Sequence, residues 1–172
     1  YSSGVDMTTG EKNTLFGHQT GRGIESGDKN VVIGASAGSS MSATASNNTF
    51  LGYKAGDTST GGDGNVMLGY EAGPSSANTS SNKLYINNAA GTPLIGGDFA
   101  AYQVHMNANV GIGNTNPQAK LHLSAGSSSE PVLLIENTNA DNTPPGVTFY
   151  KNTASPEAAD QVGSIKFDSE EA

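Results

Sequence analysis

Short apolar runs recur along the first half of the chain at nearly constant spacing. Each copy reads as Asn, a variable residue, two apolar residues, Gly, two variable residues, a small residue and Gly. Four full copies begin at Asn13, Asn30, Asn48 and Asn65, and a partial fifth copy begins at Asn82. The intervals between successive asparagines are 17, 18, 17 and 17 positions. Spacing this regular over the five copies indicates a structural repeat.

The apolar runs predict short strands rather than helices. Each run is bounded by Asn and Gly, contains β-branched or large apolar residues, and precedes a stretch rich in Ser, Thr, Gly and Asp that is typical of loops. One strand and one return in each such interval describes a β-roll, a form of β-solenoid, over positions 1–90. Its coils would stack about 4.8 Å apart.

Both faces of these strands are predicted to be apolar. Neighbouring residues in a strand point to opposite faces, so the third and fourth positions of each copy face opposite ways. The third positions are Leu15, Val32, Phe50, Met67 and Leu84, and the fourth are Phe16, Ile33, Leu51, Leu68 and Tyr85. A solitary roll needs only one apolar face, directed inward. The rest of the chain is too polar to cover the other, so we expect another copy of the same chain to do so.

The recurring positions of the repeat have two interpretations each. The glycines suit either ordinary turns or tight packing between chains; they are Gly17, Gly34, Gly52 and Gly69, then Gly21, Gly38, Gly56 and Gly73. Thr20, Ala37, Ala55 and Ala72 precede the second set. For the asparagines, a turn or a stacked ladder is favoured over ligand binding.

The chain after position 90 divides into two further predicted parts. Positions 91–126 form a connector with short strands at Pro93–Ile95, Tyr102–Met106, Val110–Ile112 and Lys120–Leu123. The strands are too short to build a core alone, which favours interleaving with other chains. Positions 127–172 form a small C-terminal β domain, with strands at 132–136, 146–150 and 163–167. No amphipathic helix of useful length is evident.

Composition and charge exclude several kinds of protein. Only 34% of the 172 residues are hydrophobic and 23 are glycine, a composition shared by disordered chains and repeat folds; the period favours the repeat fold. The net charge of −8 argues against a nucleic-acid partner, because phosphate binding needs Lys and Arg. The chain has no cysteine, and no apolar stretch long enough to insert in a membrane. It starts and stops abruptly, so we interpret it as a fragment of a longer protein.

No group of residues suits catalysis, so we expect neither an enzyme nor a cofactor. His18, His105 and His122 are far apart in the sequence, without a cysteine or a Ser-centred motif near them. The Gly111–Pro117 segment has the glycines of a phosphate-binding loop but no helix after it. The Asp57–Asn65 segment has acid spacing like a calcium loop without the full ligand set, and a solvated loop is favoured.

Two weaker candidates concern metal and receptor binding. No metal site is expected, but a histidine on a threefold axis would supply three ligands, and His105 or His122 is the alternative. Tyr53 and Tyr70 occupy the same position in successive copies, after the first glycine. If they point outward they form an aromatic strip suited to sugar or protein contact; packing against neighbouring loops is favoured.

The repeat resembles sequences of two kinds of trimeric surface protein. The N-x-Φ-Φ-G-x-x-A-G copies, where Φ is apolar, are similar to the left-handed β-roll heads of trimeric autotransporter adhesins and to roll segments of bacteriophage tail fibres. PLIGGDF (Pro93–Phe99) and NVGIGNTNPQAKLHLSAG (Asn109–Gly126) resemble the segment of fibre and appendage proteins that end in an endosialidase-type intramolecular chaperone. The segments PVLLIENTN, GVTFYKN and DQVGSIKF resemble the region that leads to such chaperones.

The resemblance implies an all-β homotrimeric fibre. It would contain left-handed parallel β-roll repeats, interleaved triple-stranded β segments and a small β domain, with a self-cleaving chaperone domain downstream. The implied function is host-cell attachment as part of a virion tail fibre, through a glycan or protein receptor whose contact residues the resemblance does not mark. The alternative is the head of a bacterial trimeric surface adhesin. An enzyme acting on surface polysaccharide lacks paired carboxylates here, and an ice-binding solenoid lacks regular threonine ranks.

Overall fold

The chain is all-β in the computed structural model, which describes residues 2–126, 133–135, 138 and 147. Within these residues there is no helix, and nine short strands follow in order. They are β1 (Thr14–Phe16), β2 (Val31–Ile33), β3 (Thr49–Leu51), β4 (Val66–Leu68), β5 (Lys83–Ile86), β6 (Ile95–Asp98), β7 (Gln103–Met106), β8 (Val110–Ile112) and β9 (Leu121–Leu123).

Strands β1 to β5 form the predicted solenoid of about four turns. Each pairs in parallel with the strand of the next coil, in the register Thr14↔Val31, Val31↔Thr49, Thr49↔Val66 and Val66↔Leu84. The chain therefore returns to the same position every 17 or 18 residues. The loops also stack, because loop N–H groups donate to carbonyls one coil away, as from Gly38 to Ala55 at 2.9 Å.

The core lies inside the coils and is made of small and medium side chains. The central strand residues Val32, Phe50 and Met67 point inward and are buried. Facing them are buried loop residues, among them Ile24 and Met41. The small residues before the second glycine of each copy are also buried; they are Thr20, Ala37, Ala55 and Ala72.

The first glycine of each copy is required by contact between successive coils of one chain. Gly34 has a φ of +133°, a conformation that side chains disfavour. A Cβ at Gly34 would lie 2.2 Å from the carbonyl oxygen of Gly52, and one at Gly52 would lie 2.3 Å from that of Gly69. The close approach is therefore between rungs of the roll, and these glycines are not free turn positions.

The asparagines form a stacked ladder, which is one of the two roles that the sequence favoured over ligand binding. In this asparagine ladder (Asn13, Asn30, Asn48 and Asn65), each Oδ1 accepts the backbone N–H of the equivalent residue in the next coil, at 2.9–3.0 Å. Each Nδ2 donates to a carbonyl near the end of its own coil, as from Asn48 to Gly62 at 3.2 Å. Asn30, Asn48 and Asn65 are fully buried, so the ladder satisfies their backbone N–H groups in the interior of the roll.

A second ladder lies two positions before the asparagines and was not predicted. Asp28 accepts the N–H of Glu11 at 2.7 Å, Ser46 accepts that of Asp28 at 3.0 Å, and Asp63 accepts that of Ser46 at 2.8 Å. Ser81 continues the series by accepting the N–H of Asp63 at 3.0 Å. Short oxygen-bearing side chains at this position tie each coil to the next.

The fifth coil is shifted by one position from the predicted alignment. The N–H that Asn65 accepts belongs to Lys83, not to Asn82. Asn82 has a φ of +60° and takes the left-handed position that Lys12, Lys29 and Asn47 hold before the earlier asparagines. Tyr85, not Leu84, is therefore opposite Met67 and points inward. The predicted faces of Leu84 and Tyr85 were wrong because the ladder step from Asn65 to Lys83 spans 18 positions, one more than the interval between the asparagines.

The connector strands extend the same sheet. β6 pairs antiparallel with β5, and β7 pairs antiparallel with β6, which gives one seven-stranded sheet in the order β1 to β7. The strand predicted at Pro93–Ile95 begins later, at Ile95, and runs through Gly96 and Gly97. The prediction at Val110–Ile112 is confirmed, and β8 pairs in parallel with β9 in a separate two-stranded sheet.

The chain divides into two compact units, Tyr1–Ser124 and Ala125–Ala172. The strands predicted at 132–136, 146–150 and 163–167 fall in the second unit and mostly outside the described residues. The exceptions, Leu133–Ile135 and Val147, do not lie in strands.

Replacing Asn48 by Ala is expected to lower the free energy of unfolding by about 3 kcal/mol. The change removes the partners of the buried N–H of Asn65 and of the carbonyl of the partly buried Gly62, and an unsatisfied buried group costs roughly 1–3 kcal/mol. The neighbouring Asn47 is exposed and has a positive φ, so Asn47→Gly is the matched control and should change stability little. Chemical denaturation followed by circular dichroism measures both. Equal effects of the two variants would contradict a structural ladder.

Gly34→Ala is expected to lower the free energy of unfolding by more than about 3 kcal/mol, because it adds backbone strain and a clash with Gly52. Gly126→Ala is the control, since no atom lies within 4 Å of its added Cβ. Thermal unfolding of both variants checks this. A Gly34→Ala protein as stable as the control would contradict the requirement for glycine at this contact between coils.

Candidate functional site

One face of the seven-stranded sheet carries apolar side chains along its whole width, and these side chains are exposed or only partly buried in the described part of the chain. We call it the outer face, because it points away from the core of the roll. It consists of residues that alternate with the inward ones: Val31, Val66, Leu84, Phe16, Ile33, Leu51, Leu68, Ile86, Ile95, Val104 and Met106, together with Thr14, Thr49 and Gly97.

The outer face continues across the change from parallel to antiparallel pairing. The registers Leu68↔Ile86, Ile86↔Ile95 and Ile95↔Met106 place these four side chains in one row on the outer face. Phe16 is 74% exposed and Val104 67% exposed. Seven strands spaced about 4.8 Å apart extend over roughly 29 Å. An apolar surface of this extent is typical of an interaction site, because sheets with two apolar faces are normally covered on both.

Tyr53 and Tyr70 point outward, as the aromatic-strip alternative required. Their rings stack at 5.5 Å between centroids and 17° between planes, and each is about half exposed. Lys54 lies 5.6 Å from the centroid of the Tyr53 ring, and its Nζ is 4.0 Å from a carboxylate oxygen of Glu71. A hydrogen bond to Glu71 raises the pKa of the Tyr70 hydroxyl. Their role in receptor binding stays a prediction.

A cleft lies on the opposite face of β5, β6 and β7, where the inner face of the sheet runs past the roll. We call it the β5–β7 cleft; it has a volume of about 260 Å³. The register places two cross-strand rows of residues on this face, one of Lys83, Asp98 and Gln103 and the other of Tyr85, Gly96 and His105. Pro93 lies at the margin.

The polar end of the β5–β7 cleft is an ion pair held by the backbone. Lys83 donates to Oδ2 of Asp98. The other carboxylate oxygen accepts the N–H groups of Ala100 at 2.9 Å and Ala101 at 3.1 Å. The hydrogen bond from Lys83 is the main cause that lowers the pKa of Asp98, so this carboxylate stays ionised over a wider pH range.

The histidine candidates lie apart in the fold. His105 is exposed on β7 and lines the β5–β7 cleft. His122 is on β9, where its Nδ1 lies 3.1 Å from Nδ2 of Asn114 and accepts the N–H of Gln118 at 3.3 Å. No group of three potential metal ligands occurs in the described part of the chain.

The two loops considered for phosphate and calcium hold themselves together. In Gly111–Pro117, Asn114 accepts the N–H of Asn116 at 2.7 Å and Asn109 donates to the carbonyl of Pro117 at 3.1 Å. In Asp57–Asn65, Asp57 bonds to Ser39 and Asp63 belongs to the second ladder. These polar groups are therefore engaged within the chain.

None of the described residues forms a helix able to span a bilayer.

Sequence reasoning missed most of the β5–β7 cleft. The signal was present as alternation, since Lys83 and Tyr85 flank Leu84 and Gln103 and His105 flank Val104. In each of these two strands, polar or amphipathic side chains therefore lie on one face and apolar side chains on the other. The two glycines of β6 concealed it, because they carry no side chain that marks a face.

Low pH should remove a stabilising contribution that depends on Asp98. Its pKa is lower in the folded protein than the ordinary value of 3.8, so the contribution is complete above that value and disappears as the pH falls through the folded pKa. Compared with Asp98→Asn, the wild type should be more stable at about pH 6, and the difference should shrink below about pH 4. Urea denaturation across this acidic range checks this, with Asp6→Asn as control for an exposed carboxylate. A difference that is constant across the range would contradict the ion pair.

Comparison with protein-family models, with curated proteins and with solved structures gives no match. The function of this chain must therefore be argued from its own geometry.

Proposed function

We propose that this chain is the structural and receptor-binding segment of a homotrimeric tail fibre of a virion, and that it mediates attachment to a host cell. The observation that carries the proposal is the outer face, an apolar surface seven strands wide. Three copies packed by their outer faces around a common axis would bury it. The rolls are then left-handed and parallel in the trimer, as in the proteins that the repeat resembles.

The physical case for self-association rests on hydration. Exposed apolar area costs roughly 25 cal/mol per Å² relative to burial, and the outer face exposes large side chains such as Phe16, Leu51 and Met106. The loops of the roll cannot cover this face, because they stack on one another coil by coil. An identical copy supplies a surface of the same length and the same coil spacing.

The choice of a fibre follows from the way the roll grows. A solenoid lengthens by one rung per repeat without changing its cross-section, so repeats set length. A rigid spacer that presents a receptor-binding surface at a distance needs this property. The alternative adhesin head shares the roll, and the resemblance of Pro93–Phe99 and Asn109–Gly126 to fibre segments favours the virion.

In this arrangement His105 points away from the axis. It alternates with Val104 and Met106, whose side chains lie on the outer face. Three copies of His105 would then be too far apart to share an ion, which disfavours the axial metal alternative for this residue.

Light scattering is expected to give a mass of three chains that persists in detergent and falls to one chain in Leu51→Glu. The variant introduces a charge into the centre of the outer face, where burial without a partner is costly. Ser40→Glu adds the same charge on an exposed loop and should stay trimeric.

Binding of the labelled trimer to a panel of bacterial cells tests attachment; strain-restricted binding supports it, and binding to no cell contradicts it. A monomeric wild type contradicts the trimer.

A further inference from the structure

We infer that the β5–β7 cleft is a binding site for a neutral saccharide, so that the receptor recognised by this segment is a surface glycan. The inference deepens the proposed function and rests on it for the biological setting. The site itself is argued from the residues that line the cleft.

The packing at the floor of the cleft requires a glycine at position 96. A Cβ at this position would lie 2.7 Å from Cγ of Pro93 and 3.1 Å from Cδ2 of His105. The φ of Gly96 is not positive, so the backbone conformation does not by itself demand glycine. Because Gly96 is small, Pro93 and His105 approach the sheet closely above it, and together with Tyr85 they line the apolar end of the cleft.

The apolar end of the β5–β7 cleft is lined by two rings, those of Tyr85 and Pro93. Tyr85 is half-buried and packs against the core, which fixes its ring, and Pro93 closes one side. Rings of this kind contact the C–H face of a sugar, as amphipathic aromatics do at wet interfaces. Convergent polar groups beside apolar walls are the usual composition of a small-molecule site.

The polar end suits hydroxyl groups that both donate and accept. Asp98 is fixed by two backbone N–H groups and by Lys83, and Gln103 adds an amide beside it. The carboxylate accepts from a hydroxyl while the ammonium and amide groups donate to one. Because Lys83 and Asp98 neutralise each other, the cleft has no net charge to attract an anionic ligand.

A second hollow extends the site beyond one ring. It has a volume of about 360 Å³ and shares Tyr85 and Pro93 with the β5–β7 cleft, and Ser75, Ser76 and Thr92 supply hydroxyl groups along it. The shared wall places two hollows side by side, which fits a glycan of two or more sugar units. The β5–β7 cleft lies on the face opposite the outer face, so packing of the outer faces in the trimer leaves it open.

Ligand-observed nuclear magnetic resonance on the whole fragment tests the inference. The probes are methyl glycosides of glucose, galactose, mannose and N-acetylglucosamine, with maltose, lactose and cellobiose as two-ring probes. We expect saturable binding of at least one neutral probe, and tighter binding of a disaccharide than of its single ring. His105→Ala and Gln103→Ala change exposed side chains and should each weaken that binding about tenfold.

Tyr53→Ala tests the aromatic strip as the competing site, since it removes an exposed aromatic ring outside the cleft; if the cleft is the site, the affinity stays unchanged. Loss of binding in Tyr53→Ala with retention in His105→Ala would place the site on the aromatic strip and overturn the inference. So would the absence of binding by every probe, or a preference for methyl glucuronide over methyl glucoside. If the same protein stays trimeric and attaches to cells, only the cleft inference fails; if it does neither, the proposed function fails independently.

Discussion

The structure depends on the hydrogen bonds that the asparagine ladder makes inside the roll. Each coil turns back sharply, and turning leaves backbone groups in the interior that no neighbouring strand can pair. The carboxamide of asparagine has an acceptor and a donor on one short side chain. It therefore reaches a buried N–H in the next coil and a carbonyl in its own coil at the same time. An apolar residue of similar size would leave both groups unsatisfied, so this position constrains the repeat more than any other.

The end of the ladder determines where the fold changes. Lys83 occupies the fifth position of the ladder but carries no carboxamide, so the series of acceptors stops with Asn65. The chain then turns back on itself, and β6 and β7 add to the sheet by antiparallel pairing. Lys83 instead directs its side chain to Asp98 on β6. The residue that ends the ladder thus also fixes the register of the connector, and it creates the polar end of the β5–β7 cleft.

The sequence predicted the repeat, the parallel strands and the two apolar faces, because all of these recur with the period, and it limited the asparagines to a turn or a ladder. It placed Val110–Ile112 correctly, since valine and isoleucine flank a single glycine there. It failed at Leu84 and Tyr85, because one added residue in a polar loop reverses every later side chain and loops carry little pattern. It also missed the cleft, which forms only when β6 folds back. Lys83 and Asp98 are 15 positions apart in the chain, and such a pair has no local signal of contact.

In the proposed trimer the two faces of the sheet have different roles, since the outer face packs against other copies and the inner face binds the ligand. The outer face is uniform from Phe16 to Met106, as a surface must be if identical copies pack along its length. The inner face is uniform only within the coils; beyond Met67 it changes to Tyr85, which ends the core, and then to Gly96 and His105 on strands that pair antiparallel. A repeat cannot create a unique site while it continues, because each rung presents the same groups as the last. Specific chemistry is therefore expected where the repeat stops, and in this chain that position is the β5–β7 cleft.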